Sequence, residues 1–137
     1  MKDKPTVLLV EDNPVSLKVI AAMLSKQGVQ VKTAVNGEEA VESVKQNPYD
    51  LIFMDIELPG MNGMETSKTI REWESRRSDH LVPGSTPYTP LTIVAMTAHA
   101  TKGDRERCLE AGMDDYVSKP IKVEELYRAI EKTINPD

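Results

Sequence analysis

A single cysteine, Cys108, is all that the 137 residues hold, which excludes an internal disulfide. Its setting in "DRERCLEAG" is that of a packed helix position rather than a reactive thiol. Apolar runs of membrane-span length are missing, and the apolar stretch of "MKDKPTVLLV" is too short for a signal peptide. A basic excess is missing too. Seventeen Lys and Arg stand against 22 Asp and Glu, a net charge of -5, so a nucleic-acid surface is not expected in this chain. A cytoplasmic location is the default. What is present is ordinary for a globular protein, 39% hydrophobic and 28% charged, and the length suits one domain over residues 1–137 with a real core.

Short apolar runs alternate with helical patterns. "TVLLV" (6–10), "VQVKTA" (29–34), "LIFM" (51–54), "LTIVAM" (91–96) and "DYVS" (115–118) read as strands. Helices are expected at 13–28, 36–47, 63–77, 102–112 and 122–134. Asn13 is placed to cap the first, Asn36 and Glu39 have the spacing of a capping box on the second, and Gly28 and Gly112 close the first and fourth. Leu17, Ile20, Ala21 and Leu24 share one face of the first helix, and Val123, Leu126, Ile130 and Ile134 one face of the fifth. Five βα units in a row predict an α/β fold with a parallel sheet covered on both sides. The alternating second strand belongs at an edge.

The residues that follow the strands are unusual. Glu11-Asp12 follow the first, Asp55 the third, Thr97 the fourth and Lys119-Pro120 the fifth. In an open parallel sheet, ligands bind beyond the carboxyl ends of the strands, where the strand order reverses. For order 2-1-3-4-5 that point lies between the first and third strands, where Glu11, Asp12 and Asp55 would meet. Three carboxylates in one crevice repel one another. At least one should titrate above its usual range, and together they suit a hard divalent cation such as Mg²⁺. Lys119 offers a charge-assisted hydrogen bond to an anion and Thr97 a hydroxyl donor. Metal, cation and carboxylate nucleophile are the parts for moving a phosphoryl group.

"LLVEDNP", "FMDIELPGMNGME", "AMTAHA" and "GMDDYVSKPI" resemble the receiver domain of two-component response regulators, in order, from Thr6 to Ile134. "MTAHA" and "DDYVSKPI" are most similar to receivers attached to hybrid sensor kinases. The resemblance implies a doubly wound five-stranded (βα)5 flavodoxin-like sheet. It implies that Asp55 accepts a phosphoryl group from a histidine kinase or a histidine phosphotransfer protein. Glu11, Asp12, Asp55 and the backbone carbonyl of Glu57 would hold Mg²⁺, with Mn²⁺ able to substitute. Thr97 and Lys119 would contact the phosphoryl oxygens, Tyr116 would be the aromatic switch, and the Lys119-Pro120 bond would be cis. Glu57 and His99, two positions beyond Asp55 and Thr97, would tune dephosphorylation.

Two other functions compete. A small Mg²⁺-dependent phosphatase with Asp55 as nucleophile needs a cap over its substrate, and 137 residues hold no cap domain. A flavodoxin-like nucleotide or flavin carrier needs a Gly-, Ser- or Thr-rich loop after the first strand. "EDNP" stands there and would repel a phosphate unless metal intervenes. No output domain follows the fifth helix, so the chain reads either as a single-domain regulator or as part of a hybrid kinase. Oligomeric state is open.

The remaining residues have ordinary readings. Asp114-Asp115 make a solvated turn, Met54, Met61, Met64 and Met96 fill core and loops, Trp73 packs with Ile70, and His80 sits in a loop. That loop, at about 75–90 ("SRRSDHLVPGSTPYTP"), departs from the receiver pattern. The interval from Asp55 to Thr97 is nearly twice that from Thr97 to Lys119. Pro83, Pro87 and Pro90 block both helix and central strand. It should leave the amino end of the fourth strand, away from Asp55.

Overall fold

The structure, a computed structural model, describes residues 5–78, 90–98 and 101–134. Five βα units follow one another: β1 (Thr6–Val10), α1 (Pro14–Lys26), β2 (Gln30–Ala34), α2 (Gly37–Gln46), β3 (Leu51–Asp55), α3 (Gly63–Ser78), β4 (Thr92–Thr97), α4 (Lys102–Glu110), β5 (Asp115–Ser118) and α5 (Val123–Ile134). All strands pair in parallel, in the order β2-β1-β3-β4-β5, with β2 at an edge as its alternation predicts. His80 and most of the expected loop, 79–89, lie outside the described residues, but α3 runs through Ser78, so residues 75–78 are helical rather than loop.

Alternation along the strands divides the core in two. Leu8, Val10, Ile52, Met54, Ile93 and Ala95 face α2, α3 and α4, where Ala40, Val41, Val44, Ile70 and Cys108 meet them, with Trp73 packed alongside. Val7, Leu9, Leu51, Phe53, Val94, Met96 and Val117 face α1 and α5, meeting Ile20, Leu24, Leu126, Ala129 and Ile130. β1, β3 and β4 are buried on both faces, which is why they read as unbroken apolar runs. Val123 departs from the expected α5 stripe. It is the first residue of its helix and stays 40% exposed, while Ala129 takes a buried place between Leu126 and Ile130.

Caps start the helices where the sequence points. The Asn13 carboxamide oxygen accepts from the N–H groups of Val15 and Ser16, and that of Asn36 from Glu39. A reciprocal capping box at α3 went unread. The Asn62 side chain accepts from the Glu65 N–H at 2.9 Å, and the Glu65 carboxylate accepts from the Asn62 N–H at 3.3 Å. Gly63 opens α3 directly against the strand end, and a Cβ there would overlap the Asp55 carbonyl oxygen. That close approach is the reason "PGMNG" can return the chain from the end of β3.

At the opposite rim of the sheet Arg71 joins α3 to the loop between α4 and β5. Its Nε donates to the Gly112 carbonyl at 2.9 Å, Nη1 to Glu74 at 2.7 Å and Nη2 to Asp114 at 2.8 Å. The carboxylates also cap the start of β4. Glu74 accepts from the Leu91 N–H at 2.8 Å and Asp114 from the Ile93 N–H at 2.7 Å. The solvated turn expected at Asp114-Asp115 is therefore a structural joint at Asp114, while Asp115 begins β5. Glu74, a charged residue in a polar-looking helix, is only 5% exposed.

Candidate functional site

The ladder holds the chemistry-bearing residues at the carboxyl rim. Asp55 and Thr97 are the last residues of β3 and β4 rather than the first of the loops after them. The ladder also runs one step past the strands. The Glu11 N–H donates to Ala34 at 3.1 Å, Ile56 to Met96 at 3.1 Å and Lys119 to Thr97 at 2.8 Å. The backbones of Glu11, Asp55, Thr97 and Lys119 are thus fixed by the same hydrogen bonds that make the sheet. The Lys119-Pro120 peptide bond is cis.

Glu11, Asp12 and Asp55 each offer a carboxylate oxygen within 4.8 Å of the others. Glu11 and Asp55 are buried, at 1% and 2% exposure, while Asp12 is open to solvent. Lys119 Nζ lies 3.1 Å from Asp55 Oδ1 and 3.3 Å from Glu11 Oε1. The Glu57 N–H donates to Asp55 Oδ1 at 3.1 Å, which puts the backbone of Glu57 against the site. Glu11 Oε2 accepts from the Asn13 N–H, and buried Oε1 has the Lys119 ammonium as its neighbour.

Burial pushes the Asp55 carboxyl up from 3.8 to about 6. The Lys119 hydrogen bond opposes that rise and the Glu11 charge adds to it. Crowding of like charges is therefore the smaller cause of the raised carboxyl, and desolvation the larger. Burial also works to lower the Lys119 ammonium, but its hydrogen bond to Asp55 and the charges of Asp55 and Glu11 outweigh it, so the net shift is upward.

These residues fit a hard divalent cation. The donor set is all oxygen, and two of the three acids are buried beside a single ammonium. Glu11, Asp12 and Asp55 would hold the ion. Once bound, it would neutralise the acids and polarise phosphoryl oxygens.

Thr97 and Tyr116 come from β4 and β5, beyond β3 in the sheet. Val10, Met54 and Ala95 face the α2–α4 side, so by alternation Glu11, Asp55 and Met96 face the α1/α5 side and Thr97 returns to the α2–α4 side. Tyr116 pairs with Ala95 and packs against the same core as Met54 and Ala95. Buried Thr97 therefore shares its sheet face with Tyr116, at the same carboxyl rim as Asp55. The Arg105 guanidinium lies over the Tyr116 ring at 5.7 Å from its centroid, a contact that sequence spacing does not reveal. His99 lies outside the described residues.

Comparison with known proteins identifies the family. Residues 7–131 match the family model described as response regulator receiver domain. A sensor histidine kinase, GacS, of Pseudomonas protegens is 40% identical over 93% of this chain. A hybrid signal transduction histidine kinase of Dictyostelium discoideum is 42% identical over 94%. The chain spans only 13% and 7% of the lengths of those two proteins. Among solved structures, the receiver domain of a Pseudomonas aeruginosa sensor histidine kinase, with magnesium coordinated in its active-site cleft, is 41% identical. Its TM-score is 0.79, over 96% of this chain and 98% of that one. The receiver domain of a Saccharomyces cerevisiae response regulator, co-crystallised with a histidine phosphotransfer protein, is 34% identical. Its TM-score is 0.88, over 97% and 90%.

Proposed function

The chain belongs to the response regulator receiver family of two-component signal transduction, and from that premise we propose that Asp55 is its phosphoacceptor. The observation that carries the assignment is the position of Asp55: buried, flanked by two further acids, and 3.1 Å from the Lys119 ammonium. A carboxylate oxygen of Asp55 attacks the phosphorus of a phosphohistidine. The new O–P bond forms as the N–P bond breaks, and the electron pair returns to the imidazole nitrogen. Lys119 is placed to take up charge on the transferred oxygens. Glu11, Asp12, Asp55 and the Glu57 carbonyl are the proposed ligands of Mg²⁺, with Mn²⁺ as a substitute. The matched relatives are kinases and receivers, which leaves the phosphatase reading without support.

The donor is inferred to be a histidine kinase or histidine phosphotransfer protein. Val15 and Val19 stay 70% and 49% exposed, one turn apart on the helix that begins beside Asp12, so an apolar patch flanks the acids. A protein donor has a surface to cover there. No helix among the described residues is long and apolar enough to cross a membrane, and a cytoplasmic location is inferred from the proposed donors.

Acetyl phosphate supplied with Mg²⁺ should label the protein, and Asp55→Asn should abolish the label. Equal labelling of that variant would sink the assignment. Glu57 and His99 are proposed to set the lifetime of the label. Its decay rate should change several-fold in Glu57→Ala or His99→Ala, and an unchanged rate in both would remove them from that role.

The segment 79–89 is proposed to take no part in this chemistry. α3 runs back from the Asp55 rim, and Leu91 is already tied to Glu74 at the opposite rim. Replacing 79–89 with a short Gly-Ser bridge should leave Mg²⁺-dependent labelling intact and change stability by no more than about 1 kcal/mol. Loss of labelling in the bridged protein would show that the segment packs on the domain.

A further inference from the structure

We propose that Arg105 is a positioning residue that holds the Tyr116 ring in its resting place, and so sets how readily phosphorylation moves it. This rests on the reading of Tyr116 as the moving aromatic. At 5.7 Å from the ring centroid, the guanidinium is within the range where the negative face of an aromatic ring attracts a cation. The two residues come from different elements, Arg105 from α4 and Tyr116 from β5. α4 is weakly attached otherwise. Cys108 is its one buried residue, and Leu109 is 51% exposed. The arginine–ring contact adds to what joins α4 to β5.

The other surroundings of the ring make a modest contact decisive. Tyr116 is half-buried and packs against the α2–α4 core. It also lines an open pocket of about 310 Å³ with Arg105, Ser118, Arg128 and Lys132. A ring between a packed core and an open pocket has two places to go, and a small bias then decides the populations. A partly exposed cation–ring contact shifts such an equilibrium by about 2–5-fold. Thr97 shares the face of Tyr116, so a change at the strand end and the hold from α4 act on the same ring.

Fluorotyrosine NMR on the full chain tests this. Only four tyrosines are present, and Tyr116→Phe identifies the signal. Beryllium trifluoride with Mg²⁺ serves as the phosphoryl mimic. The Tyr116 signal of the parent should move on titration. In Arg105→Ala the resting signal should start partway to the saturated position, and half-saturation should need about 2–5-fold less mimic. Arg105→Lys, which keeps a cation, should stay closer to the parent. A purely structural role would change the melting temperature without moving the resting signal, and that result counts against the proposal. A parent signal that never moves overturns the reading of Tyr116 itself. A parent signal that moves, with Arg105→Ala superimposed on it throughout, overturns only the role of Arg105.

Discussion

Metal-free Asp55→Asn should melt about 3–10 °C above the parent protein at pH 8 and lose most of that advantage by pH 4. Folding moves the Asp55 carboxyl from 3.8 to about 6, chiefly by burial. Below about pH 4 the group is largely protonated in folded and unfolded chains alike and costs nothing. As pH rises from about 4 to 6 the unfolded chain ionises freely while the folded one resists, so stability falls. Above 6 the folded protein carries a buried carboxylate at a cost of about 1–3 kcal/mol. Asparagine keeps the shape and an acceptor for the Glu57 N–H but never ionises. Lys119 keeps Glu11 as a partner in the variant, at 3.3 Å in the parent. Mg²⁺ should raise the parent's melting temperature more than the variant's, because an ion bound only to the folded state stabilises it by mass action. Differential scanning calorimetry at the two pH values, with and without Mg²⁺, reads all of this. A variant melting at or below the parent at pH 8 would mean that Asp55 is not held at a cost.

Arg71→Ala should lower stability by about 2–4 kcal/mol while leaving Mg²⁺ affinity unchanged. The guanidinium serves Glu74, Asp114 and the Gly112 carbonyl at once, and its stem lies against Gly112, where a Cβ would come within 2.7 Å of Arg71 Cγ. Gly112 also has φ of +96°, a backbone region that favours glycine. Removing Arg71 takes a charged partner from Glu74, which stays buried and charged, and that weakens the hold on the start of β4. Adding Glu74→Gln to Arg71→Ala should recover part of the loss, since glutamine can still accept from Leu91 without a charge. Urea unfolding of the single and double variants decides it. A single variant within about 0.5 kcal/mol of the parent, the size of an ordinary surface substitution, would show that the joint carries no stability.

The sheet was legible because its strands are buried on both faces. "TVLLV", "LIFM" and "LTIVAM" need no tertiary knowledge to be read as central parallel strands, and the edge strand shows itself by alternation. Glu11, Asp12, Asp55 and Lys119 were legible for the same reason, since a charge directly after such a run has to be explained. The strand limits were harder. Asp55 and Thr97 look like loop residues by polarity, yet their backbones are in the ladder, and a sequence displays side chains rather than hydrogen bonds. Arg71 with Asp114 and Arg105 with Tyr116 were out of reach because only the folded chain brings these pairs together. The Asn62/Glu65 box was within reach, by the same spacing that marked Asn36 and Glu39.

The ladder bonds that extend past the strands at Glu11, Ile56 and Lys119 bear on speed as well as on shape. A reaction between loosely tethered groups must first wait for them to converge, and that search slows it. Here the acceptor oxygen and the ammonium are brought into register when the sheet forms, before any donor arrives. A very small donor, with no surface to grip α1, then has only its own motion to give up. Donor size should therefore govern how often an encounter occurs far more than how readily a seated donor reacts.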